Sequence, residues 1–203
     1  MNVDLLRDEG DEMRKTSYRI ADYFIENDFA DKGDYSRIVF GMEVLKTAVV
    51  QLTVVSIAGL VFGDILLALL FFIGFGFTRT FAGGFHMDTL LKCTTITLGF
   101  LLVSMFVSEY TYYFGEVHVI NTLLIMVSLA VYSRFAPVEN HNRSLSSDEK
   151  SKFKGQTMMI VIIMYVLIVG ELLFVAEYDN YATAVNMGMT FEAFTLLPLN
   201  IGK

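Results

Sequence analysis

Long apolar stretches separated by short polar segments dominate the chain from residue 38 onward. A helix of about 20 apolar residues crosses the hydrocarbon core of a bilayer. Six stretches meet or approach this length and predict transmembrane helices at 38–62, 65–82, 89–107, 117–133, 157–176 and 182–199. The last stretch is the weakest, because it contains Asn186, Glu192 and Pro198. The pattern therefore predicts an all-α, polytopic membrane helix bundle with about six transmembrane helices.

The N-terminal region has a different pattern. Within residues 17–29, Ile20, Tyr23, Phe24 and Phe29 recur at helical spacing and charged residues fill the other face. This predicts an amphipathic helix at the cytoplasmic membrane interface, a cap packed on the bundle, or both. No apolar core of a secretory signal precedes it. We expect one integral membrane domain over 1–203, with a cytoplasmic amphipathic segment at 1–37 and the bundle at 38–199.

Charge is distributed unevenly along the chain. It has 22 acidic and 15 basic residues, a net charge of −7, which argues against nucleic acid as a partner. The turns at 63–64, 108–116 and 177–181 contain acidic residues but no lysine or arginine. All basic residues except Lys46 fall in the opposite connections and termini. The positive-inside rule then predicts a multi-pass protein of the cell membrane with both termini in the cytoplasm.

Metal and cofactor chemistry has no signature in the sequence. A single cysteine excludes an intramolecular disulfide framework and a multi-cysteine metal knuckle. The HExxH pattern of zinc proteases is absent, as are the Gly-x-Ser-x-Gly and Gly-x-Gly-Asp patterns of other proteases. We expect neither a metal nor a cofactor.

The segment from Arg79 to Cys93 holds the candidate chemistry. The only cysteine, Cys93, follows His86 by seven residues. On one straight helix their Cα atoms would lie about 10 Å apart, too far for a hydrogen bond between thiol and imidazole. We therefore predict that the helix begins at a cap on Asp88 or Thr89, with His86 on the preceding loop.

The neighbours of this pair fit a nucleophilic site. The Gly83–Gly84 pair would let the loop fold back over Cys93, which would lie in the first or second helical turn. A helix N-terminus and the adjacent Lys92 would favour the thiolate. The structural alternatives are a cysteine and a histidine that only pack, and glycines that only allow close helix contact.

Polar residues inside membrane spans are further functional candidates. They are Glu43, Gln51, Glu171 and Glu192. One of these acids could orient His86 as a third catalytic residue, and Asp88 is an equal candidate. Glu43 could instead pair with Lys46 on the same helix face. His118, predicted on the far side of the membrane, and His141, in a polar loop, are weaker candidates.

The same segment resembles the AgrB family, the accessory gene regulator protein B of Gram-positive quorum sensing. The family pattern is an arginine, Gly-Gly-x-His and a cysteine seven residues later, matched here by Arg79, Gly83, Gly84, His86 and Cys93. Ala136-Pro137 with the basic stretch up to Lys154, and the ending from Glu192 to Pro198, resemble other parts of the family. Asn140 to Asn142 depart from its more lysine-rich run, which leaves substrate preference open.

The resemblance implies a membrane cysteine endopeptidase, active near the cytoplasmic face, that processes a quorum-sensing precursor peptide. It implies that His86 activates Cys93, that the acidic tail of the precursor leaves, and that the resulting thioester is closed to a thiolactone or lactone. The precursor would have an amphipathic leader. The basic residues of the inner surface could hold its acidic tail, with Arg79 as the first candidate, or they could only set the topology; they are Arg79, Arg143, Lys150, Lys152 and Lys154. A homodimer is a further expectation. The alternatives are a transporter or peptide-export partner without covalent chemistry, and a signalling scaffold with an inert cysteine.

Overall fold

A computed structural model describes residues 3–84, 90–115, 117–138, 147–174 and 179–198, with side chains left out for 3–14, 112 and 114. Its helices are α1 (Val3–Glu26), α2 (Tyr35–Phe62), α3 (Ile65–Ala82), α4 (Leu90–Phe114), α5 (Val117–Phe135), α6 (Ser147–Phe174) and α7 (Asp179–Thr195). A short 3-10 turn, Lys32–Asp34, precedes α2. The described residues contain no strand, so the predicted all-α membrane bundle is confirmed.

Five helices of the described chain, α2 to α6, are long and apolar enough to cross a membrane. Their outer surfaces carry large exposed apolar side chains, among them Leu60, Phe106, Met126, Val166 and Leu173. Such a continuous apolar exterior is stable against lipid and unfavourable in water. Helices α2 and α3 are joined by a tight turn in which Gly63 has a positive φ and Asp64 caps α3 by accepting a hydrogen bond from the Leu67 amide.

The sixth predicted span corresponds to α7, which has only 17 residues and several polar ones. This helix packs against α3, α4, α5 and α6 and is the most enclosed helix of the bundle. Its polar side chains bond to neighbouring helices: the Asn121 amide donates to Thr183 and the Asn186 amide donates to Asn121, both at 2.7 Å. Low hydropathy therefore reflects a helix that faces protein instead of lipid.

Glycines allow α3 and α7 to approach closely. A Cβ atom on Gly74 would overlap the Val185 carbonyl oxygen, and one on Gly188 would overlap the Phe71 carbonyl oxygen. Small residues at a helix crossing permit this backbone contact in membrane bundles. The crossing fixes the position of the C-terminal half of α7 relative to α3.

Helix α1 packs on α2 through one face. Ser17 and Ala21 are fully buried, and the Lys46 ammonium donates a hydrogen bond to the Ser17 hydroxyl at 2.9 Å. Tyr23 and Phe24 remain exposed at the other side of the helix, as does Phe29 just beyond it. The helix thus caps the bundle and also presents the aromatic face expected of an interfacial helix.

Helix α6 begins ten residues before the predicted span, at Ser147. Asp148 and Glu149 lie in its first turn, where acidic side chains interact favourably with the positive end of the helix dipole. The basic residues from Lys150 to Lys154 are therefore helical, where the sequence pattern indicated a loop. Their side chains are exposed on this polar extension of α6.

Candidate active site

Helix α3 ends where the sequence predicts it, whereas the predicted cap of α4 at Asp88 or Thr89 lies outside the described residues. Helix α3 ends at Ala82, and Gly83 and Gly84 have φ angles of +77° and +128°. The Val138 amide donates to the Ala82 carbonyl at 2.9 Å, and a Cβ atom on Gly83 would overlap the Val138 carbonyl oxygen. These glycines are therefore required by a positive φ and a close backbone approach, in addition to any freedom they give the loop.

Cys93 is the fourth described residue of α4, which the structure describes from Leu90 onward. Its side chain is half-buried, and the Sγ atom accepts a hydrogen bond from Gln51 Nε2 at 3.1 Å. The sulfur atom thus has a side-chain donor in direct contact with it on the inner side of α4.

Arg79 lies one turn before the end of α3 and pairs with Glu192 of α7. Its guanidinium nitrogen lies 3.1 Å from the Glu192 carboxylate, and its Cζ atom lies 5.4 Å from the centre of the Phe75 ring. The Glu192 side chain has no exposed surface, whereas that of Arg79 is 17% exposed. A Cβ atom on Gly84 would lie 2.8 Å from Glu192 Oε1, so the glycine also makes room for the carboxylate.

These groups surround a cavity of about 720 Å³ at one end of the bundle. Arg79, Gly83, Gly84 and Cys93 all line it. The rest of the wall is mostly apolar and comes from α2, α3, the segment after α5 and α6; it includes Phe40, Val44, Phe72, Phe75, Val138 and Phe153. A largely apolar cavity with a few polar groups and a thiol is suited to hold a peptide segment against a nucleophile.

The sequence of the chain also matches a known protein family. The sequence pattern of Accessory gene regulator B matches residues 17–196. The chain belongs to the AgrB family. Family membership supports a role in accessory gene regulator quorum sensing, and together with the five apolar helices it indicates a membrane protein.

Curated AgrB relatives match over most of their length. An AgrB-like protein 2 of Clostridium perfringens (strain 13 / Type A) is 26% identical over 162 residues, which is 76% of this chain and 75% of the relative. An AgrB-like protein of Listeria innocua is 23% identical over 186 residues, 90% of this chain and 87% of the relative. No solved structure matches the chain.

The remaining candidate residues of the motif segment, and the other histidines, either lie outside the described residues or lie away from this cavity. His86 and Asp88 lie outside the described residues, as does the weaker candidate His141. Lys92 is exposed on α4 and is not among the described residues that line the cavity. His118 lies in the first turn of α5, at the opposite end of α4 from Cys93, as expected, and lines a smaller cavity of about 220 Å³.

Two of the polar residues inside the spans lie at the site. Gln51 contacts Cys93, and Glu192 pairs with Arg79. Glu171 lies in the last turn of α6, at the far end of the bundle, near Asp179. Sequence reasoning missed Thr97, whose hydroxyl oxygen accepts from Gln51 Nε2 at 3.2 Å. Its position four residues after Cys93, on the same helix face, was the available signal.

Proposed function

We propose that this AgrB protein is a membrane-embedded cysteine endopeptidase that removes the C-terminal tail of a quorum-sensing precursor peptide and promotes cyclisation of the remainder. The observation that carries the proposal is the Cys93 thiol on the wall of a peptide-sized, largely apolar cavity. The spacing from His86 and the family relationship support the same chemistry.

The proposed reaction has two acyl transfers. His86 takes the proton of the Cys93 thiol, and the thiolate attacks the carbonyl carbon at the junction before the tail. The carbon–nitrogen bond breaks, His86 returns the proton to the departing amine, and a thioester remains on Cys93. A cysteine or serine within the precursor then attacks this thioester, which forms a thiolactone or lactone and restores the Cys93 thiol.

Ring closure requires that the internal nucleophile reacts before water does. Exchange between two thioesters changes the free energy little, so the outcome depends on relative rates. An apolar cavity restricts water around the intermediate. It also holds the precursor's nucleophile near the thioester, which raises its effective concentration. The wall formed by Phe40, Phe72 and Phe75 supports both effects.

The basic end of the bundle is proposed to hold the acidic tail of the precursor at the cytoplasmic face. Arg37 and Arg79 line the cavity, and Lys150, Lys152 and Lys154 are exposed on the polar start of α6. Opposite charges across such a surface guide binding and set its direction. Arg79 would contact the tail from the cavity wall while it remains paired with Glu192.

The test of this function compares His86 with His118, which lies at the opposite end of α4 from Cys93. Purified wild-type protein in lipid vesicles is incubated with candidate precursors, and tail release is followed by mass spectrometry. His86→Ala should lower the rate by about 10²–10⁴-fold, the range typical for a general base. The matched control, His118→Ala, should retain the wild-type rate because His118 lies far from Cys93.

Alkylation separates this proposal from the transport alternative. Because Cys93 is the only cysteine, a thiol reagent modifies one site in the chain. Loss of tail release on alkylation supports the peptidase. Peptide movement across the vesicle membrane that survives alkylation, without any tail release, would contradict it and favour transport.

A further inference from the structure

Gln51 reaches from the middle of α2 to the start of α4. Its side chain is buried, with 6% of its surface exposed, and it forms part of the cavity wall. The amide nitrogen makes two hydrogen bonds, one to Cys93 Sγ at 3.1 Å and one to Thr97 Oγ1 at 3.2 Å. A polar amide is thus held against the sulfur atom inside an otherwise apolar wall.

Thr97 fixes which end of the amide faces the sulfur. The Thr97 hydroxyl donates its single proton to the Cys93 carbonyl oxygen at 3.0 Å, so its oxygen remains an acceptor for Gln51. Only the NH2 end of a glutamine amide can donate to that acceptor. One N–H of Gln51 therefore points to Thr97, and the other points to Cys93 Sγ.

A donor in this position suits the charge that develops when a thiolate attacks a carbonyl. The new bond joins Sγ to the carbonyl carbon, and the electron pair of the C=O bond moves onto its oxygen. That oxygen is bonded to the same carbon as the sulfur. It therefore lies close to the groups that contact the sulfur. Preorganised N–H donors at this place, glutamine side chains included, stabilise the oxyanion more strongly where water is excluded.

We propose that the Gln51 side-chain amide is a catalytic residue that donates a hydrogen bond to the oxyanion formed on attack by Cys93, with Thr97 as the residue that positions it. The inference rests on the proposed peptidase function and adds a group to it. Collapse of the intermediate returns the electron pair to the carbonyl, expels the amine of the tail and releases the hydrogen bond.

The variant Gln51→Met keeps a side chain of similar length without a donor. Tail release by this variant in lipid vesicles should show a kcat lowered by about 10²–10³-fold, as for loss of one oxyanion donor. The KM should change little, because the amide binds the intermediate more strongly than the substrate. Thr97→Val removes the acceptor that orients the amide, together with the hydrogen bond from the hydroxyl to the Cys93 carbonyl, and should lower kcat by about tenfold. Thr97 is not among the described residues that line the cavity.

Alkylation of Cys93 by iodoacetamide distinguishes this role from an effect on the thiol itself. Alkylation forms no oxyanion, so its rate at high pH, where the thiol is fully ionised, should be the same in wild type and Gln51→Met. A matched control is Thr53→Val, on an exposed position of the same helix, which should leave both rates unchanged.

Each possible result either supports or overturns the role of Gln51. Equal losses in alkylation and tail release would overturn the oxyanion role, and so would normal tail release by Gln51→Met. If Gln51→Met does not fold, an unchanged kcat in Thr97→Val would overturn it, and a lowered kcat with normal alkylation would support it. Absence of tail release in wild type, with intact alkylation, would instead contradict the proposed function on which the inference rests.

Discussion

The variant Cys93→Ala is expected to reduce tail release by about 10⁶-fold, the loss seen when the nucleophile of a covalent protease is removed. No other residue of the chain has a thiol, so no second sulfur can take over the attack. The helical bundle should remain intact, because Cys93 is only half-buried and alanine is a good helix former. The rate is measured by mass spectrometry of the released tail from protein in lipid vesicles.

Thr95→Ala is the matched control for this loss. Thr95 lies two residues away on α4 and its side chain is exposed. The control should process the precursor at the wild-type rate. Equal processing by Cys93→Ala and wild type would show that the thiol is not the nucleophile.

The second large effect concerns the ion pair between Arg79 and Glu192. Glu192 has no exposed surface, so loss of its cation leaves a buried carboxylate without a counter-charge. Arg79→Met is expected to lower the free energy of unfolding by about 3–5 kcal/mol. Glu192→Leu should lower it by only about 1–3 kcal/mol, because Arg79 lines the cavity and its charge can be hydrated there.

The double variant, Arg79→Met with Glu192→Leu, separates stability from activity. Replacing both members of a buried pair by apolar residues is often neutral, so its free energy of unfolding should return to within about 1 kcal/mol of wild type. Because we propose that Arg79 also holds the acidic tail, this variant should fold yet process the precursor with a raised KM. Unfolding in mixed detergent micelles measures the first quantity. Single variants as stable as wild type would show that the pair does not hold α3 to α7.

The sequence predicted the helices that face lipid better than the helix that faces protein. Apolar runs identified α2 to α6 because lipid exposure demands a nearly continuous apolar surface. Helix α7 was the weakest prediction, since Asn186 and Glu192 lower its hydropathy. Those side chains are tolerated because Asn121 and Arg79 bond to them within the bundle. Such partners lie far apart in sequence, so no local pattern could identify them.

In the candidate site, too, local features could be predicted from the sequence and contacts between helices could not. The end of α3 followed from the end of its apolar run, and the glycine pair marked its position. The contact between Gln51 and Cys93 joins residues 42 positions apart on different helices. Sequence reasoning identified Gln51 as a polar residue in a span, but only the packing of α2 against α4 shows which atom it faces. A polar residue inside a span is thus a sign of a site, while its role depends on the partner helix.

Covalent catalysis by Cys93 can be read from the intact mass of the protein after incubation with a precursor whose internal cysteine or serine is replaced by alanine. Without that nucleophile the second acyl transfer is blocked, and the first should leave its product on Cys93. We expect the mass of the protein to increase by the mass of the precursor minus that of the released tail. The adduct should be removed by hydroxylamine and be absent from Cys93→Ala. Release of the tail with no adduct on Cys93 would contradict covalent catalysis by this thiol.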